Sequence, residues 1–376
     1  MRVLMTTTSS SLMDGINRHI LTIATALHKR GVDVAVCITR PGGELADALC
    51  ENGVKAYSLN AASGHDFRIL WRLDRIMKEF KPDICHIHVL PFMGKVLFST
   101  KYKKLKYVVT VHGTGDPITQ MTLRIRMEVF LDKVFSLKFS EYCCVSEGVS
   151  QFLEENYGRK GVVIYNPIEF GARKHESGVL HDLLHLETTV MLIGTACRFV
   201  EQKNPVAFME VFCRVLSENE NIHAVLMGDG DESFKAAMLE VQGRYDCGDR
   251  IHWLGYRSDA ARLVGDLDCF VMTSHWEGLP TTLLEAIAVK TPIAFLRGGG
   301  GLLDFAGMNE THGPIGIVAD AGDVKTLSDK IRSMLSDTGY RRRISENAWN
   351  VGARFFDVGR VVEKLIGVYE RVREDR

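Results

Sequence analysis

The sequence lacks most of the features that assign a chain quickly. No charge of one sign dominates: Lys and Arg number 46, Asp and Glu 47, for a formal net charge of −1. That balance calls for no nucleic acid or other long polyanion. No apolar run approaches the roughly 18 residues of a membrane-crossing helix. The longest runs, such as Val190–Ala196, are strand-sized and carry a glycine. Met1–Met5, followed by Thr and Ser, has neither the apolar stretch nor the small-residue cleavage site of a secretory leader. The nine cysteines are odd in number and form no CxxC, which excludes a disulfide framework and fits reduced, mostly buried thiols in the cytoplasm. Short repeats and low-complexity tracts are missing. So is GxGxxG, which counts against a nicotinamide or flavin dehydrogenase.

What is there reads as globular. The 376 residues are 46% hydrophobic and 25% charged, and the length suggests two domains. Short β-branched runs alternate with helical patterns. Arg2–Thr8, Val34–Thr39, Lys55–Leu59, Asp83–His88, Tyr107–His112, Glu141–Ser146 and Val162–Tyr165 read as strands. Between them, Ile16–Lys29 (apolar at 16, 20, 23, 24 and 27) and Phe67–Phe80 read as helices. This is the rhythm of βαβ units and a parallel sheet covered on both faces. The rhythm pauses at Asn166–Pro167–Ile168 and in the polar segment Gly171–Glu187, a candidate hinge. It resumes with strands expected at Val190–Ala196, His223–Met227, Arg250–Tyr256, Cys269–Thr273, Pro292–Leu296 and Ile315–Val318. Two doubly wound α/β domains in tandem follow, with a ligand expected between them at the carboxyl ends of the strands.

Three segments carry candidate chemistry. Thr6–Gly15 joins the first strand to the first helix, where such sheets bind phosphate, although a tight turn explains it equally well. Arg198 and Lys203, five residues apart at a helix start, offer a planar fork and a point charge for a diphosphate. Farther on, Ser274–Ala286 contains Glu277, Gly278, Leu279 and Pro280, then a helix bearing Thr281, Thr282 and Glu285. The two glutamates stand eight positions apart, a spacing that would let one reach a sugar and the other a ribose while the helix N-terminus faces phosphate.

With these residues the chain resembles the retaining GT-B glycosyltransferases of family 4, whose EX7E motif matches Glu277 and Glu285. The Gly15 loop, Val111–Gly113, Val145–Glu147, Ile164–Ile168, Met227–Gly230 and Leu254–Tyr256 agree in order. The resemblance implies a GT-B fold of two Rossmann-like domains facing across a cleft: residues 1–166 with the C-terminal helix 357–376 on the acceptor side, and 167–356 binding the donor. It implies that Arg198 and Lys203 neutralise the donor diphosphate, Glu277 holds sugar hydroxyls and Glu285 ribose hydroxyls. Gly15, Gly278, Leu279, Pro280, Thr281 and Thr282 fall near the phosphates, Tyr256 and Arg257 near the base, and His112 near the donor sugar. No protein nucleophile, cofactor or metal is implied.

The expected function is sugar transfer from a nucleotide-diphosphate sugar to a glycan or lipid-linked saccharide hydroxyl, in bacterial surface polysaccharide synthesis. A UDP-sugar is favoured as donor and GDP-mannose is second. The alternatives are a non-catalytic nucleotide-sugar-binding subunit or another GT-B enzyme such as an epimerase. The expected location is cytoplasmic, peripheral to the inner face of the membrane.

Several features depart from the family pattern or carry weaker signals. Asp14 precedes Gly15 where the family has a second glycine, and could touch acceptor or phosphate. Gly298–Gly301 reads either as a close backbone approach to the donor or as a flexible loop. His86 and His88 alternate on a strand with no third metal ligand evident in sequence. Asp229–Asp231 and Asp266–Asp268 match DxD only formally. The basic stretch Lys95–Lys138 is either a solvated helix face or a contact with anionic membrane.

Overall fold

The computed structural model describes residues 1–113, 139–171 and 178–375, and the chain divides into two compact units. One comprises Met1–Pro167 and Val358–Arg376; the other is Ile168–Asp357.

The first unit is built on β1 (Arg2–Thr7), β2 (Asp33–Ile38), β3 (Lys55–Ser58), β4 (Ile84–Ile87), β5 (Lys106–Val111), β6 (Glu141–Cys144) and β7 (Val162–Val163). The strands pair in parallel in the order β3-β2-β1-β4-β5-β6-β7. Alternate residues of β1 enter different cores: Val3 and Met5 join one, Leu4 the other. Both faces of the sheet are therefore buried, which is why its strands read as continuous apolar runs rather than alternating ones. Helix Gly15–Lys29 covers one face with Ile20, Ile23, Ala24 and Leu27. Asp14 caps it, accepting from Ile16 N at 3.0 Å, so this aspartate has a structural task. The last helix, Val358–Glu374, lies on the same face through Val361, Val362, Leu365, Val368 and Tyr369.

The second unit contains β8 (Met191–Ala196), β9 (Ile222–Met227), β10 (Ile251–Gly255), β11 (Cys269–Met272), β12 (Trp276–Glu277), β13 (Ile293–Leu296), β14 (Gly299–Gly300) and β15 (Ile317–Ala319). Six strands form a parallel sheet, order β10-β9-β8-β11-β13-β15; β12 and β14 form a separate pair. The topological switch lies between β8 and β11, so the loops that follow these two strands diverge and leave a crevice.

The division between the units falls at Pro167 and Ile168, inside the first part of the expected hinge, but its polar continuation needs correction. Residues 178–187 are anchored within the second unit. Asp266 accepts from Gly178 N and Leu180 N at 2.9 and 2.7 Å, and Leu180 is fully buried. Asp268 accepts from Leu192 N at 2.8 Å and pairs with Arg341 at 2.7 Å. Both carboxylates of this formal DxD are thus structural, and Asp229 of the other pairs with Lys235 at 2.6 Å. All nine cysteines are free thiols, seven of them buried.

Candidate active site

The predicted site residues fall in two groups, one in each unit. In the second unit, the turn after β8 buries Phe199 and leaves Arg198 exposed, with no hydrogen bond or ion pair to its guanidinium among the described residues. A single 3-10 turn, Glu201–Lys203, follows, ending on Asn204 in the left-handed region before helix Pro205–Leu216.

That turn is stitched to the loop after β11. His275 N donates to Gln202 O at 2.8 Å, and Gln202 Nε2 donates to Trp276 O at 3.0 Å. The stitching brings Lys203 Nζ to 2.5 Å from Glu277 Oε1. Glu277 is only 5% exposed, so its charge needs this partner. The sequence reading assigned Lys203 to phosphate. In the fold it is engaged by Glu277, and of the two cations Arg198 is the one left open among the described residues.

Gly278, Leu279 and Pro280 lead into helix Thr281–Ala288, which begins with no side-chain cap among the described residues. Its first-turn amides are therefore open to an anion. The glycine run explains itself here. A Cβ on Gly298, Gly300 or Gly301 would lie 2.4, 2.0 and 2.4 Å from the carbonyl oxygens of Ser274, Glu277 and Gly278. The run is part of strand β14 and a helix start rather than a loop, and it lets a second backbone support the Glu277 turn. It also sets the start of helix Gly301–Thr311 against Gly278, so two helix N-termini flank that residue. Thr281, Thr282 and Glu285 are partly exposed. Tyr256 is 51% exposed, whereas Arg257 is held by Asp259 through two 2.8 Å hydrogen bonds.

In the first unit, Gly15 opens its helix and His112 follows β5. His112 is part of a histidine cluster that the strand pattern only half revealed. His88 Nδ1 lies 2.9 Å from His112 Nε2, and ring nitrogens of His19, His88 and His112 lie within 4.8 Å of one another. His86 Nδ1 meets Tyr369 Oη at 2.6 Å and its Nε2 meets Thr110 Oγ1 at 2.7 Å. The sequence showed no third ligand beside His86 and His88; the fold gathers His19 and His112 about His88 and engages His86 with Tyr369 and Thr110 instead. His19 was missed although it sits at a helical interval on the apolar face of the first helix, where a polar residue is itself a signal.

Burial lowers the basicity of all four rings, to about 4 for His19 and about 3 for His86, and takes His88 and His112 well below the usual histidine value. Neighbouring imidazoles push His86, His88 and His112 further in the same direction. Neutral imidazoles can ligate a metal or hydrogen-bond to one another; the 2.9 Å contact is of the second kind.

Residues 13–170 match the family described as Glycosyltransferase Family 4, and residues 185–351 match Glycosyl transferases group 1. The chain belongs to the GT-B glycosyltransferases of family 4 type. Similar to this glycosyltransferase is the lipopolysaccharide core biosynthesis glycosyltransferase LpsD of Rhizobium meliloti, 23% identical over 95% of each chain. So is the N,N'-diacetylbacillosaminyl-diphospho-undecaprenol alpha-1,3-N-acetylgalactosaminyltransferase of Campylobacter jejuni, 25% identical over 93% of this chain and 94% of that one. Among solved structures, HepE of Anabaena in complex with UDP and glucose superposes with a TM-score of 0.79 at 17% identity, covering 99% of this chain and all of that one. No helix among the enzyme's described residues is long and apolar enough to cross a membrane.

Proposed function

We propose that the enzyme is a retaining transferase that moves a sugar from a nucleotide diphosphate, UDP first and GDP second, to a hydroxyl of a glycan or lipid-linked saccharide. The setting is bacterial surface polysaccharide assembly, a reading supported by relatives named for lipopolysaccharide core and undecaprenol-linked saccharide synthesis. The observation that carries it is the juxtaposition of exposed Arg198, the Lys203–Glu277 pair and the uncapped start of helix Thr281–Ala288.

Cations and helix amides stabilise the negative charge that develops on the leaving diphosphate. When phosphate arrives, Lys203 shares its charge between Glu277 and the phosphate, leaving the glutamate to accept from sugar hydroxyls. Glu285 takes the ribose, Tyr256 and Arg257 the base, and Gly15 and His112 act from the first unit. The departing phosphate accepts the proton of the incoming hydroxyl, so neither a protein nucleophile nor a metal has a step. A non-catalytic sugar-nucleotide binder would share the binding groups but show no turnover.

The acceptor reading includes contact with anionic membrane from the cytoplasmic side. Its support lies in helix Arg68–Phe80: Phe67 and Trp71, one turn apart, are 74% and 67% exposed, and Arg75 and Lys78 continue that face. Within the basic stretch Lys95–Lys138, Lys101 is tied to Asp74 of this helix at 2.6 Å. Arg124, Arg126, Lys133 and Lys138 lie outside the described residues.

The test is turnover with UDP- and GDP-sugars on a polyprenyl-diphosphate-linked saccharide, with product anomers assigned by NMR and EDTA in a parallel sample. Transfer with retained configuration, unaffected by EDTA, is expected. Inversion, or transfer only with added metal, overturns the mechanism.

A further inference from the structure

The histidine cluster has a directionality of its own. His88 Nδ1 and His112 Nε2 share one proton across 2.9 Å. The other nitrogen of His88, Nε2, is buried without a hydrogen-bond partner among the described residues. Burial keeps both rings neutral, so each carries a single N–H. Two arrangements are then possible. In one, His88 carries its proton on Nδ1 and donates it to His112 Nε2, and His112 carries its own proton on Nδ1. In the other, His112 donates from Nε2, and His88 must hold its N–H on Nε2.

The second arrangement aims an N–H at a buried site with no acceptor. The first leaves only an unused lone pair there. Orphaned buried donors are the rarer and costlier defect. We propose that His88 is a positioning residue that holds His112 in the tautomer protonated on Nδ1, making His112 a hydrogen-bond donor rather than an acceptor. No described residue hydrogen-bonds to His112 Nδ1, so that N–H remains available to an oxygen of a bound sugar. The functional part rests on reading His112 as a sugar contact; the tautomer does not.

A divalent cation shared by His19, His88 and His112 is the competing occupant. Coordination through His88 Nδ1 and His112 Nε2 would require both lone pairs to converge without a proton between them, and EDTA decides between the two occupants. At 2.9 Å those lone pairs repel, whereas one proton joins them.

The experiment is long-range proton–nitrogen NMR on full-length protein labelled with 15N-histidine, near neutral pH, with the His112 signals identified by their loss in His112→Gln. Wild type is expected to show His112 protonated on Nδ1, and EDTA to change nothing. His88→Asn places an amide N–H near the position of Nδ1 and is expected to keep that tautomer. His88→Phe keeps a ring but no donor, and is expected to give mixed tautomers.

In transfer assays, His88→Phe is expected to lower kcat about tenfold with the donor KM unchanged, and His88→Asn to stay within about threefold of wild type. A role in packing alone reverses the order, because Asn leaves the larger gap. His112 protonated on Nε2 in wild type, an unchanged tautomer in His88→Phe, or signals that move with EDTA overturns the proposal. If His88→Phe does not fold, wild type and His88→Asn still decide the tautomer. If the protein transfers no sugar, the spectra still decide it, separately from the proposed function.

Discussion

Lys203 reaches Glu277 across 74 residues of sequence, Nζ to Oε1 at 2.5 Å, in a site where the carboxylate is almost wholly buried. The cation and the carboxylate are therefore one electrostatic unit. Arg198 is outside that unit, and the two cations should respond differently to removal.

Arg198→Ala is expected to weaken UDP binding by about tenfold to a hundredfold, the worth of charge-assisted hydrogen bonds, with no change in melting temperature. Lys203→Ala leaves Glu277 buried and unpaired, and is expected to cost about 3 kcal/mol of stability as well as affinity. Pairing Lys203→Met with Glu277→Gln should restore much of that stability but not turnover. Calorimetric titration and urea unfolding check both; equal loss of stability in Arg198→Ala and Lys203→Ala would contradict the assignment.

Neighbouring glycines offer an internal control. Gly300 has φ +64° and faces Glu277, whose carbonyl oxygen would be 2.0 Å from an added Cβ. Gly300→Ala is expected to destabilise the protein by about 2 kcal/mol or more and to abolish transfer by displacing the Glu277 turn. At Gly299 the nearest atom to an added Cβ is 3.5 Å away, and Gly299→Ala should be tolerated. Melting curves and activities of the two variants, side by side, decide the point.

Stability should depend on acidity through His19, His86 and His88. Their folded basicity lies below the usual value of 6.5, so the unfolded chain binds more protons below that pH. Stability is then fully present above about pH 6.5 and falls on acidification, approaching about 1.4 kcal/mol per pH unit for each histidine. Urea unfolding from neutral to mildly acid pH should show this slope, reduced in His86→Phe. A flat profile would mean that these rings are protonated in the folded protein.

The membrane reading places its weight on Phe67 and Trp71. Replacing both with serine should lower co-sedimentation with anionic vesicles about tenfold or more, since each exposed aromatic contributes through the apolar area it buries. Melting temperature and transfer to a soluble acceptor should not change. Vesicle binding that survives the substitutions would move the contact elsewhere.

Much of this was legible in the chain itself. Every expected strand overlaps an observed one, because strands buried on both faces read as continuous apolar runs. The two-residue strands β12 and β14 escaped notice: a Trp–Glu step and a Gly–Gly step carry no apolar period. Residues 178–187 read as a linker because polar composition does not reveal that Asp266, far along the chain, supplies the cap for their backbone. Glu277, Glu285, Arg198 and Lys203 could be named as candidates because their spacing about two helix starts matches the EX7E family pattern.

Partnership was a different matter. Whether a cation is open or occupied depends on which loops the sheet brings together, and only folding pairs Lys203 with Glu277 while leaving Arg198 exposed. The same holds for His19, His88 and His112, which come from a helix and from the ends of two strands. Local periodicity assigns each residue to an element and a face, since it reflects backbone geometry over a few residues. Which nitrogen meets which across a parallel sheet is set by strand order and register, and these arise from contacts between residues distant in the chain.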